Sequence, residues 1–147
     1  MSLQIPQTLS NYLAALKRHD LAGIEAALTH DCQFIGASRI LSRQNFLDMM
    51  KALYTGFPDW DHGFQSIEDR SSGNYAVLWH QTGTHTGEWC MSGMAPIAPT
   101  GKRVTMPPHT FYYRVASSGI SLIFPEPMPG GAPAGILHQI GADAPPL

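Results

Sequence analysis

The sequence predicts an α+β fold, with helices packed on one face of a mostly antiparallel sheet. Three observations carry that prediction. Apolar residues recur at helical spacing through the first 56 residues. Between residues 62 and 124 strand-like segments dominate, separated by turn signals at Ser71–Asn74 and Pro99–Gly101. The chain has 147 residues, 44% of them hydrophobic, which is enough for one domain with a buried core. The whole of 1–147 is therefore read as a single domain. A sheet of this kind, if strongly curved, encloses a pocket between itself and the helices.

Each element has its own signal. Leu9, Tyr12, Leu13 and Leu16 define a helix over 8–18. Lys17, Arg18 and His19 suit its C-terminal end, where the backbone dipoles favour positive charge. Asp20 is the expected N-cap of a second helix carrying Leu21, Ile24 and Leu28. A short strand is expected over 32–36. Ser42 caps a third helix whose apolar stripe is Phe46, Met49, Met50 and Leu53, and Gly56 and Pro58 end it. Strands are expected over 62–69, 75–89, 103–115 and 119–124. Residues 90–101 form a Met-, Pro- and Gly-rich connection. Pro107 and Pro108 cannot donate to a ladder and belong at an edge or bulge. Residues 125–133 read as loop, 134–140 as a short last helix and 142–147 as a frayed tail.

Composition excludes several functions. The net charge is -2 with His neutral, and no basic patch points to nucleic acid. No stretch approaches the roughly 20 apolar residues that span a bilayer, so no membrane partner is expected. Met1 to Leu9 lacks the charged start and apolar run of a secretion signal. Cys32 and Cys90 are the only cysteines, and their spacing argues against a disulfide scaffold and against structural zinc. A cytoplasmic location is the resulting expectation. No metal site is expected, because His80 and His85 fall on opposite faces of a regular strand and no carboxylate completes a set. Pro99-Thr100-Gly101-Lys102 is no nucleotide loop, since Pro96 and Arg103 stand where Gly and Ser or Thr are needed.

The segment from Trp79 to Trp89 sets imidazole, amide and hydroxyl groups along one expected strand, which either lines a wet pocket or is a polar outer face without chemistry. Strict alternation puts Tyr75, Val77, Trp79, Gln81, Gly83 and His85 on one face of a continuous strand. That face passes from apolar to polar, as a pocket wall with a functional mouth would.

Four motifs then resemble a known family in order and spacing. They are Phe57-Pro58-Asp59-Trp60, Gly83-Thr84-His85-Thr86-Gly87, Pro99-Thr100-Gly101-Lys102 and the run from Gly135 to Gly141. Together they resemble the SnoaL-like polyketide cyclases over about residues 8–141. The resemblance implies the nuclear transport factor-like fold, a cone whose sheet wraps a pocket, and a homodimer. It also implies cofactor-free aldol chemistry, in which an acidic C–H is deprotonated and the enolate closes a ring. A family carboxylate serves as acid and base before the last helix. Here Phe124 stands near the family's Trp, and Glu126 is the only carboxylate before that helix.

The candidate residues follow. His85 is the expected proton carrier or oxyanion donor, or else a structural His holding a glycine-flanked strand end. Asp59 or Glu126 would assist it; equally, Asp59 after Pro58 suits a turn, and Glu126 between two prolines suits a solvated loop. Trp79, Gln81, Tyr12, His109 and Tyr113 would shape the pocket around a hydrophobic small molecule; each also fits plain sheet or core packing. Met49, Met50, Met91 and Met94 suit a plastic pocket wall, or core filler. Two functions result. One is acid/base catalysis on a hydrophobic, carbonyl-bearing substrate: cyclisation, isomerisation, dehydration or hydrolysis, with no cofactor. The other is a non-catalytic module that binds a small molecule or dimerises and has lost the acid.

Overall fold

The computed structural model describes residues 5–36, 39–91 and 93–142. The first helix, α1 (Gln7–Arg18), buries Leu9, Tyr12, Ala15 and Leu16 on one face. It ends at His19, which adopts the left-handed conformation that closes helices. The Asp20 side chain then accepts a hydrogen bond from the Gly23 N–H and starts α2 (Leu21–Ala27). Strand β1 (Leu28–Ile35) follows directly and is longer than the 32–36 expected, because Leu28 opens the strand rather than extending the helix. A short β2 (Ile40–Ser42) precedes α3 (Arg43–Gly56), and Ser42 caps that helix through the Asn45 N–H.

The second half is built of β3 (Phe64–Asp69), β4 (Asn74–Trp79), β5 (Thr82–Thr84), β6 (Arg103–Thr105), β7 (His109–Ala116), β8 (Gly119–Pro125) and α4 (Ala134–Gln139). Six strands form one open sheet in the order β2-β1-β8-β7-β4-β3. All its pairs are antiparallel except β1 with β8. The α+β architecture is therefore as the sequence predicts. The frayed tail expected over 142–147 lies, apart from Ala142, outside the described residues.

Two expected strands are broken, and both breaks have a physical cause. The run 75–89 is not continuous. β4 ends at Trp79, and β5 pairs with β6 in a separate two-stranded sheet. At the break the His80 N–H donates to Gly63, and the Gln81 carbonyl accepts from the Met106 N–H. Alternating burial survives on both sides of the break, which is why it looks continuous in sequence. The run 103–115 is broken at Pro107-Pro108, where neither residue can donate and the chain changes sheets.

These breaks divide the interior into two clusters. The first lies between α1, α2, α3 and the main sheet, and holds Tyr12, Leu16, Met50, Val77, Trp79 and Tyr113. The second joins the smaller sheet to α4, and holds Phe57, Trp60, Trp89, Val104, Ile136 and Leu137. Gln139 of α4 covers the free edge of β6, accepting from the Thr105 N–H and donating to its carbonyl.

Candidate functional site

The sequence-predicted residues fall into separate places. Tyr12, Trp79 and Tyr113 come together in the first cluster, and the rings of Tyr12 and Tyr113 meet edge to face at 5.6 Å. Burial raises the phenol pKa of both well above the ordinary value. Gln81 is half-buried at the strand break.

His85 lies elsewhere. Its side chain is fully buried and stacks on Phe57, with ring centroids 5.2 Å apart. Nδ1 accepts from the Thr100 N–H at 3.2 Å and lies 2.9 Å from the Thr100 hydroxyl. A backbone amide always donates, so Nδ1 is unprotonated and Nε2 carries the proton. Nε2 is buried with no partner among the described residues. Burial lowers the His85 pKa, and the nearby backbone of Ile97 and Gly87 offsets part of that shift.

Asp59 is exposed. Its Oδ1 accepts from the Thr84 N–H at 2.7 Å, and Oδ2 lies 3.6 Å from Arg103. Slight burial pushes its pKa up, but the Thr84 and Arg103 contacts outweigh that and leave it lowered. Glu126 is also exposed, and among the described residues only its backbone is engaged. Its N–H donates to Thr110, and its carbonyl accepts from His109 Nε2. His109 is buried opposite Trp79 in the strand register, with its ring edge against Phe111. The structure thus gives His85, Asp59 and Glu126 separate partners and does not bring them into one cluster.

Met50 is core, whereas Met49, Met91 and Met94 line an open groove of about 370 Å³ with Cys90, Asp48 and Arg39. None of Tyr12, Trp79 and Tyr113 lines this groove. No metal-binding group of His, Cys, Asp or Glu is present among the described residues.

The residues that do meet are Tyr54, His62 and Gln81. His62 follows the Phe57–Asp61 turn, and only 6% of its surface is exposed. Gly63 takes a positive φ of 63°, and a side chain there would meet the His80 carbonyl at 1.9 Å. Only glycine lets the chain turn so tightly and leave His62 against Trp79, at a ring distance of 5.7 Å. The Gln81 amide nitrogen donates to His62 Nδ1 at 3.4 Å. With Nδ1 accepting, Nε2 carries the proton and donates to the Tyr54 hydroxyl at 2.8 Å. The phenol keeps its own proton to donate elsewhere, because burial raises its pKa well above the ordinary value and Tyr113 adds to the effect. His62 is held neutral, its pKa lowered to about 3 by burial and then by His19, with Asp61 opposing. His19 lies flat on Tyr54, and its Nε2 donates to the Trp60 carbonyl at 2.7 Å. The result is a directed hydrogen-bond chain, Gln81 to His62 to Tyr54. Trp79 walls it, and Phe64 packs on the indole edge with half its own surface exposed.

Sequence patterns do not single out His62, Tyr54 and His19 as site residues. The signal that could have found Tyr54 is its place one turn after Met50 on the apolar side of α3, with a hydroxyl that needs a partner.

The helix-backed open sheet has the α+β fold of the nuclear transport factor-like solved structures. The SnoaL-like polyketide cyclase family model matches residues 7–118, and the chain belongs to that family. Solved structures agree on the fold. AclR from Streptomyces galilaeus, a candidate hydroxylase, is 23% identical with a TM-score of 0.72, covering 92% of this chain and 93% of its own. A candidate SnoaL-like polyketide cyclase from Jannaschia sp. CCS1 is 15% identical with a TM-score of 0.73, covering 99% and 100%. IdmH from Streptomyces antibioticus, a candidate polyketide cyclase, is 18% identical with a TM-score of 0.62, covering 82% and 88%. No curated protein matches the chain at a significant level.

Proposed function

We propose that this protein is a cofactor-free enzyme that stabilises the enolate of a hydrophobic, carbonyl-bearing small molecule, with aldol cyclisation as the reaction that family membership favours. One observation carries the proposal: the Tyr54 hydroxyl, backed by neutral His62, is a hydrogen-bond donor set among aromatic rings. Enolate formation moves negative charge onto a carbonyl oxygen. A preorganised donor in an apolar surround stabilises that charge more than the ground state. Each hydrogen bond in the chain polarises the next, so Gln81 and His62 strengthen the donation from Tyr54. Tyr12, Trp79 and Tyr113 provide the apolar wall. In this reading His85 and Asp59 hold the smaller sheet in place rather than act on substrate, and Glu126 and His109 join β7 to the following loop.

Removing the hydroxyl tests this. In D2O, the wild-type protein should exchange the acidic C–H protons of 2-tetralone faster than buffer, followed by 1H NMR. Tyr54→Phe should slow that exchange by about 10²–10³-fold, the usual cost of losing one such donor. A second reading is a binding module without chemistry. It is favoured by the exposed Glu126 and by the absence of any carboxylate hydrogen-bonded to the chain among the described residues. Binding of 2-tetralone with no exchange by the wild type would select it.

We further propose a cytoplasmic homodimer with no nucleic-acid or membrane partner. Free Cys32 and Cys90 support a reducing compartment, and no described helix is long and apolar enough to cross a membrane. Light scattering on the purified protein checks the dimer.

A further inference from the structure

Enolate formation needs a proton acceptor, and the structure offers one at the end of α1. His19 holds the left-handed conformation, with φ 55° and ψ 36°. That conformation is strained for a non-glycine residue, and glycine is the residue usually found there. The imidazole is engaged instead. Its Nε2 donates to the Trp60 carbonyl at 2.7 Å, and its ring is stacked on Tyr54 with centroids 3.9 Å apart and planes 9° apart. A carbonyl oxygen only accepts, so in the neutral ring Nε2 carries the proton and Nδ1 the lone pair. Nδ1 has no hydrogen-bond partner among the described residues, and the side chain is half-buried. The stack therefore sets an imidazole nitrogen with no described partner against the ring that carries the proposed oxyanion donor.

We infer that His19 is the catalytic base, taking the α-proton of a ketone whose oxygen is held by Tyr54; the inference rests on the proposed role of Tyr54 as oxyanion donor. Nδ1 takes the proton from carbon. The C–H electron pair becomes the C=C bond, and the carbonyl π pair moves to oxygen, which accepts from the Tyr54 hydroxyl. The Nε2–H bond to Trp60 steadies the imidazolium that forms. That imidazolium returns a proton to the same carbon, or gives it to the alkoxide formed when the enolate attacks a second carbonyl.

The backbone supplies an unusually clean test. His19→Gly suits the left-handed position and leaves a ring-sized gap against Tyr54. Exchange of 2-tetralone in D2O should fall about 100-fold in His19→Gly while its Kd stays within threefold, and added imidazole should restore part of the rate. His19→Asn, which also tolerates the backbone, should lose exchange and gain nothing from imidazole. Equal exchange by wild type and His19→Gly overturns the inference and leaves the Tyr54 reading standing. Loss of exchange and binding together, with no imidazole rescue, makes His19 structural and also overturns it. No exchange by the wild type overturns both readings at once.

Discussion

His62 and His85 are both buried, both packed against aromatic rings and both pushed by burial toward the neutral form. What differs is where their ring nitrogens lead. His62 sits in the middle of a chain, receiving from Gln81 and giving to Tyr54, and both of those side chains are half-buried. His85 is a terminus: Nδ1 is fixed by Thr100, and Nε2 has no partner among the described residues. One imidazole links two half-buried side chains. The other fills volume and joins a loop to a sheet. Burial and a lowered pKa are common to both, so neither feature alone separates a functional histidine from a structural one.

The largest effect that sharpens this contrast is on acid stability. Below about pH 6.5 the unfolded chain binds a proton at His62 that the folded chain does not take up until about pH 3. Stability should therefore fall as pH falls through this window, by up to about 1.4 kcal/mol per pH unit from this residue. His85 adds in the same direction. His62→Gln should flatten the slope in urea unfolding measured at pH 7, 6 and 5. An unchanged slope would show that His62 is not held neutral.

Next comes the packing role of the other imidazole. His85→Ala should cost about 3 kcal/mol in urea unfolding, as deletion of a large buried side chain does. His85→Leu should cost less than about 1.5 kcal/mol, because it keeps most of the volume and removes an unpaired donor. Neither variant should alter 2-tetralone exchange per folded molecule. A hundredfold loss of exchange in His85→Leu would break the comparison.

Smaller still is the effect of the first member of the chain. Gln81→Leu frees His62 Nδ1 from its donor, so the tautomer that gives to Tyr54 is no longer enforced. Exchange should slow about tenfold with binding intact, in the range seen when the partner that orients a functional imidazole is lost. The smallest effect belongs to Asp59, whose folded pKa is lowered. Its charge stabilises the fold above the unfolded carboxylate value of about 3.9, and that contribution disappears as pH falls through the lower folded value. Asp59→Asn keeps an acceptor for the Thr84 N–H, so it should lose only a few tenths of a kcal/mol at pH 7. The difference from wild type should shrink as pH falls below the unfolded carboxylate value.

Much of the fold was legible because its signals are local. Asp20 and Ser42 cap helices with their own side chains, and the Leu9–Leu16 stripe is buried as periodicity requires. Tyr12, Trp79 and Tyr113 share one buried cluster, and alternation and helical spacing had put each on an inward face. The break at His80-Gln81 was not, since neither residue is a turn former and the alternation of burial continues across it. That break moves His85 out of the main sheet, which no local pattern records. His62 was hidden for a related reason. It lies in a tight turn made by Gly63 against the His80 backbone, and its partners stand 8 and 19 residues away in sequence. His19 read as a helix-ending charge because its position suits one; its ring is directed by a left-handed φ that sequence does not announce.

The most direct test of the Gln81–His62–Tyr54 chain follows the histidine rings themselves. Long-range 1H–15N NMR distinguishes the Nδ1 and Nε2 of each imidazole, and 2-tetralone can be titrated into the uniformly 15N-labelled protein. The expected result is that His62, protonated at Nε2, shifts in proportion to ligand bound, while His85 keeps its signals. If His85 shifts with the ligand and His62 does not, the site lies in the second cluster and the role proposed for Tyr54 and His62 is wrong.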